Sequence, residues 1–225
     1  MESLLEQILD SPQLPYYWKE INSFWQKEQT LREQCYATLP DKSHEFVNGK
    51  VINKMPNTSE HNKVQNLLSR LLSVYIDKHQ LGRVGAEKMM ISLLRNDFEP
   101  DICFWNKAIA DNFDSKQMLF PAPDFIVEVL SKSTKTRDRG IKFTDYATHG
   151  VAEYWLIDPE KQTIEQHKRY QGEFRLFFTF KDTQGMIESF VIDGFKISVK
   201  AIFDENANFE ALHGIISPKP PKETE

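Results

Sequence analysis

Glu128 lies in the run Phe125-Ile126-Val127-Glu128-Val129-Leu130, one carboxylate in an otherwise apolar stretch. Such a run reads as a strand covered on both faces, where an unpaired carboxylate is costly. Glu128 therefore requires a cationic partner, a metal ion or a raised pKa. A buried salt bridge to Lys or Arg is the structural alternative to a functional carboxylate. A second acid, Asp101, follows Pro100 and opens the apolar stretch Ile102-Cys103-Phe104-Trp105. Alone, Asp101 reads as a solvated aspartate at a strand start. If the two strands are neighbours, Asp101 and Glu128 repel unless a hard cation such as Mg²⁺ or Mn²⁺ sits between them.

Directly after Glu128, residues 131–143 carry Lys132, Lys135, Arg137, Arg139 and Lys142 against Asp138 alone. One reading is a solvated helix face with Asp138 and Lys142 paired at i,i+4. The other is a basic helix start that flanks a carboxylate–metal site and meets phosphates. A carboxylate pair beside a basic cluster suits phosphodiester hydrolysis. A metal lowers the pKa of a water and clamps the phosphate, and a lysine steadies the attacking hydroxide or the transition-state charge. Competing chemistries lack their residues. The six histidines, His44, His61, His79, His149, His167 and His213, show no H-E-x-x-H spacing. No Walker loop, G-x-G-x-x-G or G-x-S-x-G occurs.

The elements that must position these groups alternate between helix and strand. Leu4, Leu5, Ile8 and Leu9 have helical spacing, and after Pro12 and Pro15 so do Trp18, Ile21, Phe24, Trp25 and Leu31. This helical N-terminal extension covers 1–40, and its two-Trp stripe is expected to pack against the main body or a partner. A break is expected around Pro40-Asp41-Lys42-Ser43, and the main domain runs over 41–216. It opens with a hairpin around Asn48-Gly49. A helix capped by Ser59 then carries Val64, Leu67, Leu68, Leu71, Leu72 and Tyr75. Strands follow at 84–94, 101–105 and 124–130, a helix at 136–148, and strands at 154–158, 163–166, 174–180, 187–192 and 196–199. The tail 217–225 is Pro/Lys/Glu-rich and expected to be disordered. This order implies an α/β (α+β) domain, a mixed sheet with helices against it.

Composition narrows the classes further. Of 225 residues, 40% are hydrophobic and 27% charged, enough for a core. No apolar run is long enough to span a bilayer, and the first residues lack a basic signal-peptide start. Cys35 and Cys103 cannot build a zinc site alone. A formal charge of −5 gives no global basic field toward DNA. A cytoplasmic protein is expected.

Several blocks together resemble one known family. They are Pro123-Asp124-Phe125-Ile126-Val127-Glu128-Val129-Leu130-Ser131, Arg137-Asp138-Arg139-Gly140-Ile141-Lys142 with Tyr146, and Gly150-Val151-Ala152-Glu153-Tyr154-Trp155-Leu156-Ile157-Asp158-Pro159. The run 45–51 and the helix start at Ser59-Glu60-His61 add to them. Over roughly residues 30 to 200 the chain resembles the Uma-two family, a large bacterial group of restriction-endonuclease type, expanded in cyanobacteria. The resemblance implies a restriction-endonuclease-like fold of the PD-(D/E)XK nuclease superfamily, a mixed central sheet flanked by helices. It makes Pro100-Asp101 the P-D element and Glu128-Val129-Leu130 the E-X-K element. Asp101, Glu128 and the Val129 carbonyl become ligands of Mg²⁺, with Mn²⁺ as substitute. Glu87, Glu60 and His61 become possible members of the site's shell. Leu130 stands where the motif has lysine, so the charge is expected from the next helix, with Lys142 first and Lys132 in reserve.

The expectation is a metal-dependent endonuclease acting on DNA as a homodimer, with Asp101, Glu128 and Lys142 catalytic. Lys135, Arg137 and Arg139 are expected to contact nucleic acid. The alternatives are a catalytically inactive nuclease-fold protein that binds nucleic acid or a protein partner, and an interaction protein docking through Trp18 and Trp25.

Overall fold

The structure is a computed structural model of the chain and describes residues 3–37 and 43–217. The break expected at Pro40-Asp41-Lys42 and the tail 218–225 lie outside the described residues. The first elements are α1 (Leu4–Leu9), α2 (Leu14–Tyr36), β1 (His44–Val47), β2 (Lys50–Asn53), α3 (Ser59–His79), β3 (Gly82–Ala86), β4 (Met90–Ser92) and β5 (Asp97–Phe98). Then come β6 (Ile102–Asn106), α4 (Lys107–Ala110), β7 (Leu119–Phe120), β8 (Phe125–Val129), α5 (Lys135–Asp138), α6 (Ile141–Thr148) and β9 (Glu153–Asp158). The chain closes with β10 (Thr163–Tyr170), β11 (Glu173–Phe180), β12 (Met186–Glu188), β13 (Lys196–Ser198), a 3₁₀ turn (Val199–Ile202) and α7 (Glu205–Ile216). None of the described helices is long and apolar enough to cross a membrane.

Two compact units emerge. The first holds the chain up to Lys54 together with Arg95–Asp97. Its β1–β2 hairpin turns at Asn48-Gly49 with both φ values positive, as the two-residue turn requires. A Cβ at Gly49 would stand 3.0 Å from the Glu28 carboxylate, a second reason for glycine there. Helix α2 buries an ionic face instead of its apolar stripe. Arg32 donates to both oxygens of Asp97, joined by the Tyr36 hydroxyl, and Arg95 pairs with Glu28 at 3.2 Å. Trp18, Ile21 and Phe24, expected to pack, stay more than half exposed, at 66%, 55% and 58%.

The second unit is built on a six-stranded sheet of order β11-β10-β9-β8-β6-β3. Only β8 and β9 are parallel in it, and the α5–α6 crossover joins them, as a parallel pair requires. The apolar stripe of α3 packs Val64, Leu68, Leu71, Leu72 and Ile76 against Val127, Val129, Trp155 and Ile157 on one sheet face. Side chains alternate along a strand, so Glu128 points to the other face, toward α6. Helix α7 docks on α3 through Asn208, whose amide donates to Leu67 O at 2.9 Å and Ala201 O at 2.7 Å. The fully buried Glu153 carboxylate ties the sheet to the 189–191 loop. It accepts from Trp155 Nε1 (2.6 Å), Gln166 Nε2 (2.8 Å), Ser189 Oγ (2.6 Å) and Phe190 N (2.8 Å).

Several local expectations change. The N-cap of α3 is Thr58, which accepts from His61 N at 3.2 Å, and Ser59 is the first helical residue. The strand expected over 84–94 is two strands, because Glu87 and Lys88 both take left-handed backbone (φ 51°) between β3 and β4. The helix expected over 136–148 is broken into α5 and α6 at Gly140, where a Cβ would meet Thr136 O at 2.8 Å. Helix α7, capped by Asp204, has no counterpart in the sequence-based reading.

Candidate active site

Strands β6 and β8 run antiparallel with Ile102 opposite Val127. One residue beyond this pair on each strand stand Asp101 and Glu128. Both are buried, at 6% and 3% exposure, and each is held by a different helix.

Asp101 is held from the α3 side. Its Oδ2 accepts the Val129 N–H at 2.8 Å and lies 3.2 Å from His61 Nε2. Gln65, one helical turn after His61, donates from Nε2 to the Asp101 carbonyl at 2.9 Å. Its Oε1 is buried with no hydrogen bond.

Glu128 is held from the α6 side. Lys142 Nζ lies 2.9 Å and the Tyr146 hydroxyl 3.1 Å from the same oxygen, Oε1. Lys142 and Tyr146 are four residues apart, so both point from one face of α6. Lys142 Nζ also lies 3.4 Å from Asp138 Oδ1, the i,i+4 pairing expected from sequence, but in the interior rather than on a solvated face. The Tyr154 hydroxyl donates to the Asp138 carbonyl, and the rings of Phe98, Tyr146 and Tyr154 stack edge to face around the lysine. Burial, then the charges of Glu128 and Asp138, push the Tyr154 phenol well above its usual pKa. Burial and the Glu128 charge likewise raise Cys103, which stays a thiol.

The remaining candidates scatter. Lys132 and Lys135 are exposed, before and at the start of α5, and Arg137 is half-buried. Arg139 forks onto Glu165 with contacts of 2.6 and 2.7 Å, which holds the Glu165 carboxyl below its usual pKa. Glu60 is exposed on the first turn of α3. Glu87 is exposed in the bend after β3, and only its backbone N–H reaches the Asp101 carbonyl, at 3.4 Å. Sequence reasoning missed Gln65 and the part played by Tyr146. The signals were a glutamine inside an apolar helical stripe and a tyrosine one turn after the chosen lysine. A groove of about 820 Å³ between α3, β13 and α7 shares no residue with this cluster.

Among the described residues, no three or more His, Cys, Asp or Glu side chains converge on a metal-binding point. The donors at hand suit a hard cation all the same. Mg²⁺ is usually held by one or two carboxylates, with water and phosphate oxygens completing the shell, rather than by an all-protein cage. Asp101, Glu128 and the Val129 carbonyl are such a set. In an extended strand the N–H and C=O of one residue face the same neighbour, so the Val129 carbonyl shares the Asp101 side. The buried Gln65 Oε1 adds one more oxygen nearby.

Comparison with known proteins places the chain in a family and a fold. A family model described as "Uma2: Putative restriction endonuclease" covers residues 29–200. The uncharacterized protein sll1609 of Synechocystis is 32% identical over 130 residues, 56% of this chain and 71% of that protein. A second uncharacterized Synechocystis protein, slr1290, is 27% identical over 172 residues, 74% of this chain and 83% of that one. A crystal structure of "a putative nuclease belonging to DUF820" from Anabaena variabilis superposes with a TM-score of 0.63 at 19% identity. It covers 76% of this chain and 92% of that one, so the two share the restriction-endonuclease-like fold expected from sequence.

Proposed function

We propose that this chain, which belongs to the Uma2 restriction endonuclease family, is a metal-dependent endonuclease hydrolysing DNA phosphodiester bonds at Asp101, Glu128 and Lys142. The observation that carries this reading is the Lys142 ammonium 2.9 Å from Glu128, which supplies from α6 the charge absent at Leu130. Asp101, Glu128 and the Val129 carbonyl would hold Mg²⁺, or Mn²⁺ in its place, which lowers the pKa of a bound water and clamps the scissile phosphate. Lys142 then stabilises the anionic nucleophile and the charge growing on the phosphoryl oxygens. His61 and the Val129 N–H fix the Asp101 carboxylate, Tyr146 fixes Glu128, and Asp138 holds Lys142 between two acids. Lys135 and Arg137 are the phosphate contacts. Arg139 joins them only if it leaves Glu165.

A second reading is an inactive nuclease-fold protein that binds nucleic acid or a protein. The favouring observation is that both carboxylates already sit in complete-looking contacts, Glu128 with Lys142 and Tyr146, Asp101 with Val129 and His61. Nicking of supercoiled plasmid in Mn²⁺, Mg²⁺ and EDTA, wild type against Glu128→Gln, separates the two. Metal-dependent cutting lost in the variant supports the nuclease. Steeply salt-dependent DNA binding without cutting supports the binder.

A further inference from the structure

Glu128 has a counterpart two strands away. In the sheet register Glu128 pairs with Leu156 of β9, and Leu156 with Glu165 of β10. Residues directly opposite share a face, so Glu165 stands in one row with Glu128 on the α6 side, two strand spacings or about 10 Å along. Each carboxylate of the row holds one cation from the α5–α6 segment. Lys142 reaches Glu128 at 2.9 Å. Arg139, three residues earlier and across the Gly140 break, forks onto both oxygens of Glu165 at 2.6 and 2.7 Å.

The two pairs differ in what can reach them. The side chains of Lys142 and Glu128 are 3% and 4% exposed, those of Arg139 and Glu165 36% and 24%. An incoming anion can therefore meet Arg139 without opening the core. A guanidinium fork that fits a carboxylate fits a phosphate in the same two-point geometry. Lys132 and Lys135, exposed on the same segment, have no ion pair among the described residues and add positive charge beside it. A nucleic-acid strand rises about 3.4 Å per phosphate, so one whose scissile phosphate sits at Glu128 brings one of its next few phosphates to Arg139. The exchange does not strand Glu165. Its side chain faces water, and His167 Nε2 stays 3.4 Å from its Oε2.

We propose that Glu165 is a built-in stand-in for a substrate phosphate. It occupies Arg139 in the free protein and yields it to a phosphate flanking the scissile one. Glu165 is thus a positioning residue that acts through Arg139 and sets how tightly the segment grips the backbone. The inference rests on the reading of the chain as a nuclease fold that binds DNA, and it needs binding rather than cutting.

Fluorescence anisotropy of a short labelled DNA duplex tests it, with the full chain, in EDTA to keep the duplex uncut, over a salt series. Glu165→Gln frees Arg139 and should tighten binding about two- to fivefold, the weight of a half-exposed ion pair. Arg139→Gln should weaken binding and reduce the slope of log K against log salt by about 0.9, the share of one phosphate contact. In the Arg139→Gln background, Glu165→Gln should change little further. That cycle separates a stand-in from a general gain of positive charge. Glu210→Gln makes the same charge change on α7, across the sheet from α6, and should bind like wild type. Glu165→Gln that binds like wild type, or that tightens equally without Arg139, overturns the inference and leaves the pair a structural one. A duplex that even the wild type fails to bind at low salt overturns the DNA reading itself, and this inference with it.

Discussion

Asp101 Oδ2 accepts the Val129 N–H at 2.8 Å, so the acid of one strand is fastened to the backbone beside the acid of the next. This bond separates the structural task of Asp101 from its charge. Asp101→Asn can still present an oxygen to Val129, whereas Asp101→Ala leaves a buried N–H without its acceptor. Thermal melts should show the alanine variant losing about 1–3 kcal/mol and the asparagine variant much less. Both should lose plasmid nicking. An asparagine variant that cuts like wild type would remove Asp101 from the metal-holding set.

Lys142→Met strips the buried Glu128 carboxylate of its ammonium. Breaking a buried pair on one side costs about 3–5 kcal/mol, while replacing both partners costs far less. Chemical denaturation should therefore rank Lys142→Met below the double variant Glu128→Gln/Lys142→Met in stability. Nicking should fall by about 100-fold or more in the single variant. If Lys142→Met melts and cuts like wild type, the lysine neither holds Glu128 nor assists the chemistry.

Tyr146→Phe keeps the ring between Phe98 and Tyr154 and deletes only the hydroxyl on Glu128. The expected cost is about 1 kcal/mol of stability. Because Glu128 keeps Lys142, nicking should fall several-fold rather than vanish. A complete loss of cutting at full stability would mean that the phenol itself takes part in the reaction.

His167, buried against Phe143, is held below its ordinary value of 6.5 by burial, with Glu165 opposing. Burial thus favours the neutral imidazole in the folded chain more than in the unfolded one. Below pH 6.5 the unfolded chain binds the proton first, so stability falls with falling pH until the folded histidine titrates too. Glu165, lowered by Arg139, contributes in the same sense further down, below 4.5. Urea midpoints from pH 7 to 5 should decline for wild type and decline less for His167→Phe. Equal slopes would show that His167 does not set the acid limit.

How much was legible beforehand depends on the range of the forces involved. The Asn48-Gly49 turn, the α3 stripe and the buried β8 strand follow from backbone preference and periodicity, which act within a few residues. The demand that Glu128 find a partner was equally readable, since a carboxylate inside five apolar neighbours admits few solutions. Which partner it found was not. Lys142 reaches Glu128 only because the chain breaks at Gly140, turns into α6 and crosses over the parallel β8–β9 pair. The same turn draws Asp138 into the interior and Arg139 outward to Glu165, so adjacent charges in one basic segment take unlike tasks. Glu87 fell out of the site through two left-handed residues that no alternation pattern announces. Gln65 entered it because α3 lies across the start of β6. The sequence by itself determined most of the elements and singled out the two acids, but not the breaks at Glu87-Lys88 and Gly140 or helix α7. Packing decided which charges meet, because the energy of a buried ion depends on its neighbours in space and hardly at all on its neighbours in the chain.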